Sequence, residues 1–263
     1  MNTNPIGIFD SGVGGLSIWK EITTLLPDES TIYLADSANA PYGDKTQEEI
    51  IELCIKNTEK LISLDCKIIV VACNTATTNA INILRKKYTI PFIGIEPAIK
   101  PARLQTKTNS IGILATKGTL NSLLFAQTAN KYMDGIKIIE IEGKGLVSLI
   151  ETGKIHSPEM THLLYQYIHP ILQNNIDCLV LGCTHYPFLI PQIKKITGDT
   201  INIIDSGRAI AKQTKAILIS QNTSNNISNS SPAHKIYSNL NTEIIKTLLN
   251  NHSLNFDLIL EKF

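Results

Sequence analysis

Short apolar runs rich in Ile and Val alternate with segments of helical pattern along most of this chain. The first series of runs reads "PIGIFDSG", "STIYLADS", "CKIIVVACN" and "IPFIGI". Between them, residues 16–26, 47–63 and 77–87 show helical patterns. Strands that alternate with helices at this spacing predict βαβ units and a parallel sheet that is covered by helices on both faces.

A second series of the same kind follows Pro97 and Pro101, which interrupt the pattern. Its runs are "SIGILAT", "GIKIIEIEG" and "DCLVLGCTH", and "HKIYSNL" with residues 242–249 predicts a further strand and helix. We therefore predict an α/β fold with two similar domains, each a mostly parallel sheet flanked by helices.

Two pairs of similar stretches connect the two series. "ACNT" at residues 72–75 resembles "GCTH" at 182–185, and "GIFDSG" at 7–12 resembles "NIIDSG" at 202–207. We interpret them as two related halves that face each other. Ligands of open α/β sheets bind outside the carboxyl ends of the strands, so the polar residues at these ends are predicted to line one cleft. Those residues are Asp10, Ser11, Asp36, Ser37, Cys73, Asn74, Thr75, Thr116, Cys183, Thr184 and His185.

The composition excludes several classes of partner. The 263 residues carry a formal net charge of +1, so no basic surface for nucleic acid or for an anionic membrane is indicated. The apolar runs are shorter than the ~20 residues of a membrane helix, and the first residues do not resemble a signal peptide. We predict a cytoplasmic protein that acts on a small molecule.

Five cysteines without C-x-x-C spacing predict free thiols rather than a disulfide framework or a zinc ribbon. Cys54, Cys66 and Cys178 fit buried apolar positions. Cys73 and Cys183 differ because each ends an apolar run and precedes hydrogen-bonding side chains.

Three uses of this pair of thiols compete. A metal site lacks further ligands near Cys73, and a disulfide requires the sulfurs at ~2 Å, which a ligand-binding cleft would prevent. The third use is an acid and a base on opposite faces of one carbon atom. A thiol suits both roles because its reference pKa of about 8.5 lets it exchange a proton near neutral pH.

Six motifs in this order resemble those of glutamate racemases: "FDSGVGGLS", "DSANAPYG", "ACNTAT", "ATKGT", "IETG" and "GCTHYP". Glutamate racemases are cofactor-independent enzymes that supply D-glutamate for bacterial peptidoglycan. The resemblance runs from about Pro5 to Gly207. It implies two domains related by a pseudo-twofold axis, at residues 1–97 plus 207–263 and at 98–206, with the active site in the cleft between them.

The resemblance also implies a role for each site residue. Cys73 would take the α-proton of D-glutamate with help from Asp10, and Cys183 that of L-glutamate with help from Glu151 and His185. The resemblance implies a homodimer, and it implies neither a metal nor a cofactor. The substrate-binding residues would be Asp10, Ser11, Tyr42, Gly43, Asn74, Thr75, Thr116, Thr119, Thr184 and His185.

Other interpretations remain open. Asp10 could cap the next helix, and "GVGGLS" lacks the G-x-G-x-x-G spacing of a nucleotide site. The enzyme could act on aspartate instead of glutamate. The chain could also be an amino-acid binding protein whose cysteines are inert.

Overall fold

Two parallel sheets organise the molecule, which is described by a computed structural model over residues 3–132, 134–225, 231–250 and 252–263. The first sheet has six strands within these ranges, in the order β10-β9-β2-β1-β3-β4. Its strands are β1 (Ile6–Asp10), β2 (Thr31–Ala35), β3 (Ile68–Val71), β4 (Phe92–Gly94), β9 (His234–Ser238) and β10 (Asp257–Leu260).

The second sheet has four strands in the described ranges, in the order β6-β5-β7-β8. All pairings in both sheets are parallel. The strands are β5 (Ser110–Ala115), β6 (Lys137–Glu142), β7 (Cys178–Gly182) and β8 (Asn202–Ile204). The predicted fold class, two parallel sheets flanked by helices, is therefore confirmed. The predicted domain boundaries stay a prediction.

The strand order β2-β1-β3-β4 of the first sheet recurs as β6-β5-β7-β8 in the second. Strands β3 and β7 occupy equivalent positions, and they lead into "ACNT" and "GCTH". The second pair of similar stretches is different, because "GIFDSG" lies on β1 and "NIIDSG" on β8, which are not equivalent strands. This second pair therefore does not support our interpretation of two related halves, because the two stretches share letters but lie at non-equivalent positions.

Helices cover the faces of both sheets. The helix α2 begins with a capping box in which Thr46 and Glu49 satisfy each other's backbone N–H groups. Within the described residues the helices are α1 (Leu16–Leu25), α2 (Gln47–Ser63), α3 (Asn74–Lys87), α4 (Ile99–Gln105), α5 (Lys117–Leu120), α6 (Leu123–Tyr132), α7 (Leu146–Glu151), α8 (Pro158–Leu172), α9 (Ile190–Thr197), α10 (Gly207–Ser220) and α11 (Glu243–Leu249). Short 3-10 helices lie at Ser37–Asn39, Tyr42–Asp44, Tyr186–Leu189 and Gly198–Thr200. None of the described helices is both long and apolar enough to cross a membrane.

Two sequence-based expectations need correction. Helix α3 begins at Asn74 rather than at residue 77, because Cys73 serves as its N-cap and accepts a hydrogen bond from the N–H of Ala76. Strand β10 was not predicted. It is a short edge strand that is only partly buried, so its apolar pattern is weak.

The largest apolar cluster joins the two sheets into one body. It contains Val13 and Trp19 beside the first sheet, and Leu146 and Ile150 beside the second. Helix α10 follows β8 in the chain but packs against α1, so the chain returns to the first sheet through it. The two sheets of the described residues thus share the largest of three apolar clusters, and the other two clusters are separate from it.

A buried ion pair lies at the amino ends of the strands, away from the residues at their carboxyl ends. The Lys67 ammonium contacts the Glu29 carboxylate at 2.6 Å, with the side chains 1% and 3% exposed. Lys67 also donates to the carbonyl of Thr223, and Glu29 accepts from the N–H of Asn225. The pair therefore holds the end of α10 against the first sheet.

We expect Lys67→Met to lower the free energy of unfolding by about 3–5 kcal/mol, because it leaves the Glu29 charge buried without its partner. Urea unfolding followed by circular dichroism measures this change. Lys87→Met is the matched control, since Lys87 and Glu59 form an exposed pair and should leave the midpoint unchanged. Equal midpoints for the two variants would contradict the assigned role of the buried pair.

Candidate active site

A narrow cavity with a free volume of only about 10 Å³, roughly the space of one water molecule, lies between the carboxyl ends of the two sheets. An amino acid can therefore enter it only if the walls move apart. Both halves of the molecule contribute to its wall. The lining residues are Ser11, Pro41, Tyr42, Gly43, Cys73, Asn74, Thr75, Thr116, Val147, Cys183, Thr184 and His185.

One wall of the cavity carries the Cys73 thiol. Its sulfur accepts a hydrogen bond from the N–H of Ala76 at 3.4 Å and lies 3.7 Å from the Ser11 hydroxyl. Because Cys73 caps α3, the partial positive charge at the start of that helix favours an anionic sulfur. Backbone geometry thus supports a thiolate here even before any charged side chain is considered.

The Asp10 carboxylate stands beside Cys73 and is fully buried. Burial raises the pKa of Asp10 to about 6, although the positive charge of His185 and the N–H of Gly15 act in the opposite direction. Burial also raises the pKa of the Cys73 thiol well above its usual range, and the Asp10 charge adds to that effect. The thiol hydrogen bond favours the Asp10 carboxylate, whereas the Asp10 charge disfavours the Cys73 thiolate, so the proton of this pair rests on the sulfur and can pass to the carboxylate.

The opposite wall carries Cys183, which stands in a relay with an imidazole and a carboxylate. The Cys183 sulfur lies 3.7 Å from Nδ1 of His185, and Nε2 of His185 lies 2.6 Å from the Glu151 carboxylate. Burial acts to lower the pKa of His185, but its contacts with Cys183 and Glu151 outweigh burial and raise that pKa well above the ordinary value. The Cys183 sulfur therefore faces an imidazole that tends to carry a proton.

The glycine-rich turn "SGVGG" after β1 makes room for this relay. A methyl group at Gly12 would overlap the Glu151 carboxylate, and one at Gly14 would overlap the His185 ring. The Glu151 carboxylate also accepts hydrogen bonds from the N–H of Val13 at 2.7 Å and from the Ser37 hydroxyl at 3.0 Å. These glycines permit two side chains of the second half to approach the backbone of the first.

The Asn74 side-chain amide lines the cavity, and its polar atoms lack hydrogen bonds to the described residues. The residue is 3% exposed, and neither its oxygen nor its nitrogen has a hydrogen-bond partner among the described residues. An unpaired buried amide is costly, so such groups indicate a binding partner. Asn74 therefore indicates that a polar ligand enters this cavity.

Comparison with known proteins identifies the family. The sequence profile of the Asp/Glu/Hydantoin racemase family matches residues 11–214. The chain belongs to this family. A glutamate racemase from Ectopseudomonas mendocina is 45% identical over 215 residues, which are 81% of this chain and 82% of that protein. The predicted resemblance is thus confirmed, and the protein is a racemase, an isomerase.

Solved structures of glutamate racemases have the same fold. The enzyme from Francisella tularensis in complex with D-glutamate has a TM-score of 0.84 and 28% identity, over 100% of this chain and 98% of that one. The Escherichia coli enzyme in complex with L-glutamate and the activator UDP-MurNAc-ala has a TM-score of 0.85 and 30% identity, over 99% of both chains. The likeness thus covers both halves of the racemase.

The structure separates the predicted site residues of this racemase into two groups. Ten of them line the cavity: Ser11, Tyr42, Gly43, Cys73, Asn74, Thr75, Thr116, Cys183, Thr184 and His185. Asp10, Thr119 and Glu151 are not among the lining residues. Asp10 and Thr119 are fully buried, and the Glu151 side chain is 10% exposed.

Tyr42 contributes to the cavity in a way that the sequence did not predict. Its hydroxyl donates to the Asp36 carboxylate at 2.5 Å and accepts from the Asn57 amide at 3.1 Å. The Tyr42 hydroxyl therefore already has hydrogen-bond partners, so a ligand can contact only the ring and the backbone of Tyr42. Asp36 also accepts from the Asn39 and Asn239 amides, which holds this segment in place.

Sequence reasoning missed three residues of the site. Pro41 and Val147 line the cavity, and Val13 holds the Glu151 carboxylate together with Ser37, which was predicted to lie at the cleft. Pro41 and Val13 lie in motifs that were recognised, so their neighbours were the available signal. Val147 belongs to the apolar pattern of α7, which gives no sign that it faces a ligand.

We expect Gly14→Ala to displace the His185 ring and so to slow alkylation of Cys183 by iodoacetamide at pH 7, by about tenfold, because the thiolate is the reactive form. Peptide mass spectrometry gives the rates at Cys183 and Cys73 in the same sample. Cys73 is the internal control, since it does not contact His185. An unchanged ratio of the two rates would show that the turn tolerates a side chain.

Proposed function

We propose that this racemase interconverts L- and D-glutamate, with Cys73 and Cys183 as the two acid–base groups and without a cofactor. The observation that carries the proposal is that both thiols line one closed cavity from equivalent strand ends of the two sheets. Inversion of a stereocentre by proton transfer needs a base on one face of the carbon atom and an acid on the other. Two facing walls, each with a thiol, meet that need.

The proposed reaction moves one proton at each thiol. From L-glutamate, the Cys183 thiolate takes the α-proton, and the electron pair that is left is delocalised into the α-carboxylate. The Cys73 thiol then donates its proton to the opposite face, which gives D-glutamate with Cys183 as thiol and Cys73 as thiolate. From D-glutamate the same steps run in reverse, so atoms and charge balance in both directions.

Hydrogen-bond donors on the cavity wall would stabilise the intermediate. As the α-carbon loses its proton, the substrate carboxylate gains enolate character and negative charge. The unpaired Asn74 amide and the hydroxyls of Thr75, Thr116 and Thr184 face the cavity and can donate to that carboxylate. The closed wall excludes bulk water, which strengthens each of these bonds.

The choice of glutamate rests on the relatives, since glutamate racemases match the whole length of both halves. The direct test is proton NMR of L-glutamate in D2O with the enzyme and no added cofactor, together with optical rotation. Loss of the α-proton signal with rotation falling to zero supports the proposal. If both persist while aspartate reacts in the same assay, the substrate is aspartate instead.

We expect Cys73→Ser and Cys183→Ser each to slow racemisation by about 10²–10⁴-fold in both directions, because a serine hydroxyl is a much weaker acid than a thiol. Steady-state rates from circular dichroism measure the loss. Cys66→Ala is the control, since Cys66 lies at the other end of β3 and should leave the rate unchanged. A serine variant with the wild-type rate would exclude that thiol from the chemistry.

We expect kcat/KM to fall below about pH 6, because burial raises the pKa of Asp10 to about 6 and only its carboxylate form can accept the Cys73 proton. The Asp10→Asn variant should have a low kcat/KM, and its kcat/KM should not show this fall at low pH. Asp177→Asn should keep it, since Asp177 lies at the opposite end of β7 from Cys183. An acidic limb that survives in Asp10→Asn would assign it to another group.

Cellular role and assembly remain part of this proposal. The product D-glutamate would serve peptidoglycan synthesis in the cytoplasm, and the five free cysteines support a reducing compartment. The homodimer that the family resemblance implies is also proposed, and light scattering in solution tests it. Neither nucleic acid nor membrane lipid is proposed as a partner, because the net charge is near zero.

A further inference from the structure

Among the contacts between the two halves of the molecule, two seams border the cavity. We call the first the glycine-loop seam; there the backbone and side chains of residues 12–17 contact Glu151 and Thr184. The N–H of Val13 donates to the Glu151 carboxylate at 2.7 Å, and the Ser17 hydroxyl donates to the carbonyl of Thr184 at 2.9 Å. We call the second the threonine seam; it consists of Thr75, Thr116, Gly118 and Thr119 with Gly43.

Three hydroxyls form a closed ring at the threonine seam. Oγ1 of Thr75 lies 2.9 Å from Oγ1 of Thr116 and 3.3 Å from Oγ1 of Thr119, and the last two are 3.1 Å apart. A hydroxyl donates one hydrogen bond and accepts two, so each of the three can donate to the next. Thr75 starts α3 after the first sheet, whereas the other two belong to the turn and helix after β5, so the ring joins the two halves.

The backbone is closely packed at the same place. A methyl group at Gly118 would lie 2.8 Å from Cγ2 of Thr75 and 3.2 Å from the Cα of Gly43. The Asn79 amide also donates across this seam, to the carbonyl of Gly118 at 3.5 Å. Only a residue without a side chain lets the two halves approach so closely here.

The threonine seam forms part of the wall between the cavity and the outside. Pro41, Gly43, Thr116 and Val147 line the catalytic cavity and also an outer cleft that contains Lys117. Because Thr116 belongs both to this wall and to the ring, a substrate that passes through the wall must separate Thr116 from Thr75. The ring therefore stands at the entrance to the cavity.

The two seams differ in strength. The glycine-loop seam uses a carboxylate as acceptor, and hydrogen bonds to charged groups are roughly twice as strong as those between neutral groups. The largest apolar cluster also passes through it, with Val13 and Leu16 on one side and Leu146 and Ile150 on the other. The threonine seam has three neutral hydroxyls, and on the same side Leu124 of α6 packs against an apolar cluster of the first sheet. The halves should therefore part at the threonine seam and pivot at the glycine-loop seam.

We propose that the threonine ring is the latch of the cavity and that Thr119 is a positioning residue within it. The inference rests on the proposed glutamate racemase function. In the empty enzyme the ring holds the entrance shut. With substrate bound, Thr75 and Thr116 turn their single hydroxyl protons to its carboxylate, while Thr119, which is fully buried, stays behind them and keeps their oxygens oriented.

The test compares Thr119→Val, which removes the hydroxyl at nearly constant volume, with Thr119→Ser, which keeps the hydroxyl and removes the methyl group. For Thr119→Val we expect KM for glutamate to rise about three- to tenfold, as for the loss of one neutral hydrogen bond, with kcat within about twofold. Thr119→Ser should keep both constants within about twofold of the wild-type values. Equal KM values for the wild type and the valine variant would overturn the proposal, as would equal losses in both variants.

Hydrogen–deuterium exchange of the substrate-free enzyme tests the latch without any turnover. In Thr119→Val, amides of residues 74–80 and 116–122 should exchange faster than in the wild type, and amides of residues 11–17 should not change. Faster exchange at both seams, or at neither, would overturn the latch. If the wild type does not racemise glutamate, the proposed function fails, whereas this exchange pattern still decides the role of the ring.

Discussion

The contact of the Glu151 carboxylate with the glycine-rich turn is the interaction on which the rest of the site depends. It fixes the end of α7 from the second half against the N–H of Val13 in the first. It also orients His185, which in turn contacts Cys183. Without it the imidazole that contacts Cys183 would lose the partner that orients it, and one of the bonds between the two halves beside the cavity would be lost.

The two thiols are supported in different ways although they come from equivalent strands. Cys73 is supported by the start of a helix and by a buried carboxyl group, whereas Cys183 is supported by an imidazole. The strand order that recurs in both sheets accounts for the placement of the two sulfurs, but the side chains around the sulfurs differ between the two halves. This is why two identical residues at equivalent strand ends have distinct electrostatic environments.

Much of the fold could be predicted because most strands are Ile- and Val-rich runs and the long helices have an apolar period, whereas the edge strand β10 lacks such a clear pattern. The positions of Cys73, Asn74, Cys183 and Thr184 followed from the rule that strand ends carry the site. The purpose of Gly12 and Gly14 could not be predicted, since it depends on side chains more than 130 positions away in the chain. The threonine ring and Val147 were hidden for the same reason, because only the packing of the two halves shows which groups meet.

The different environments of the two thiols have a consequence for the energetics of turnover. L- and D-glutamate have equal free energies in water, so an enzyme that interconverts them must have the same kcat/KM for both, however unequal its two walls are. The difference between the walls can therefore appear only in bound states. The difference between the walls decides which enantiomer is bound more tightly, and so which one occupies most of the enzyme at saturation. The more tightly bound enantiomer then limits conversion of the other one most strongly.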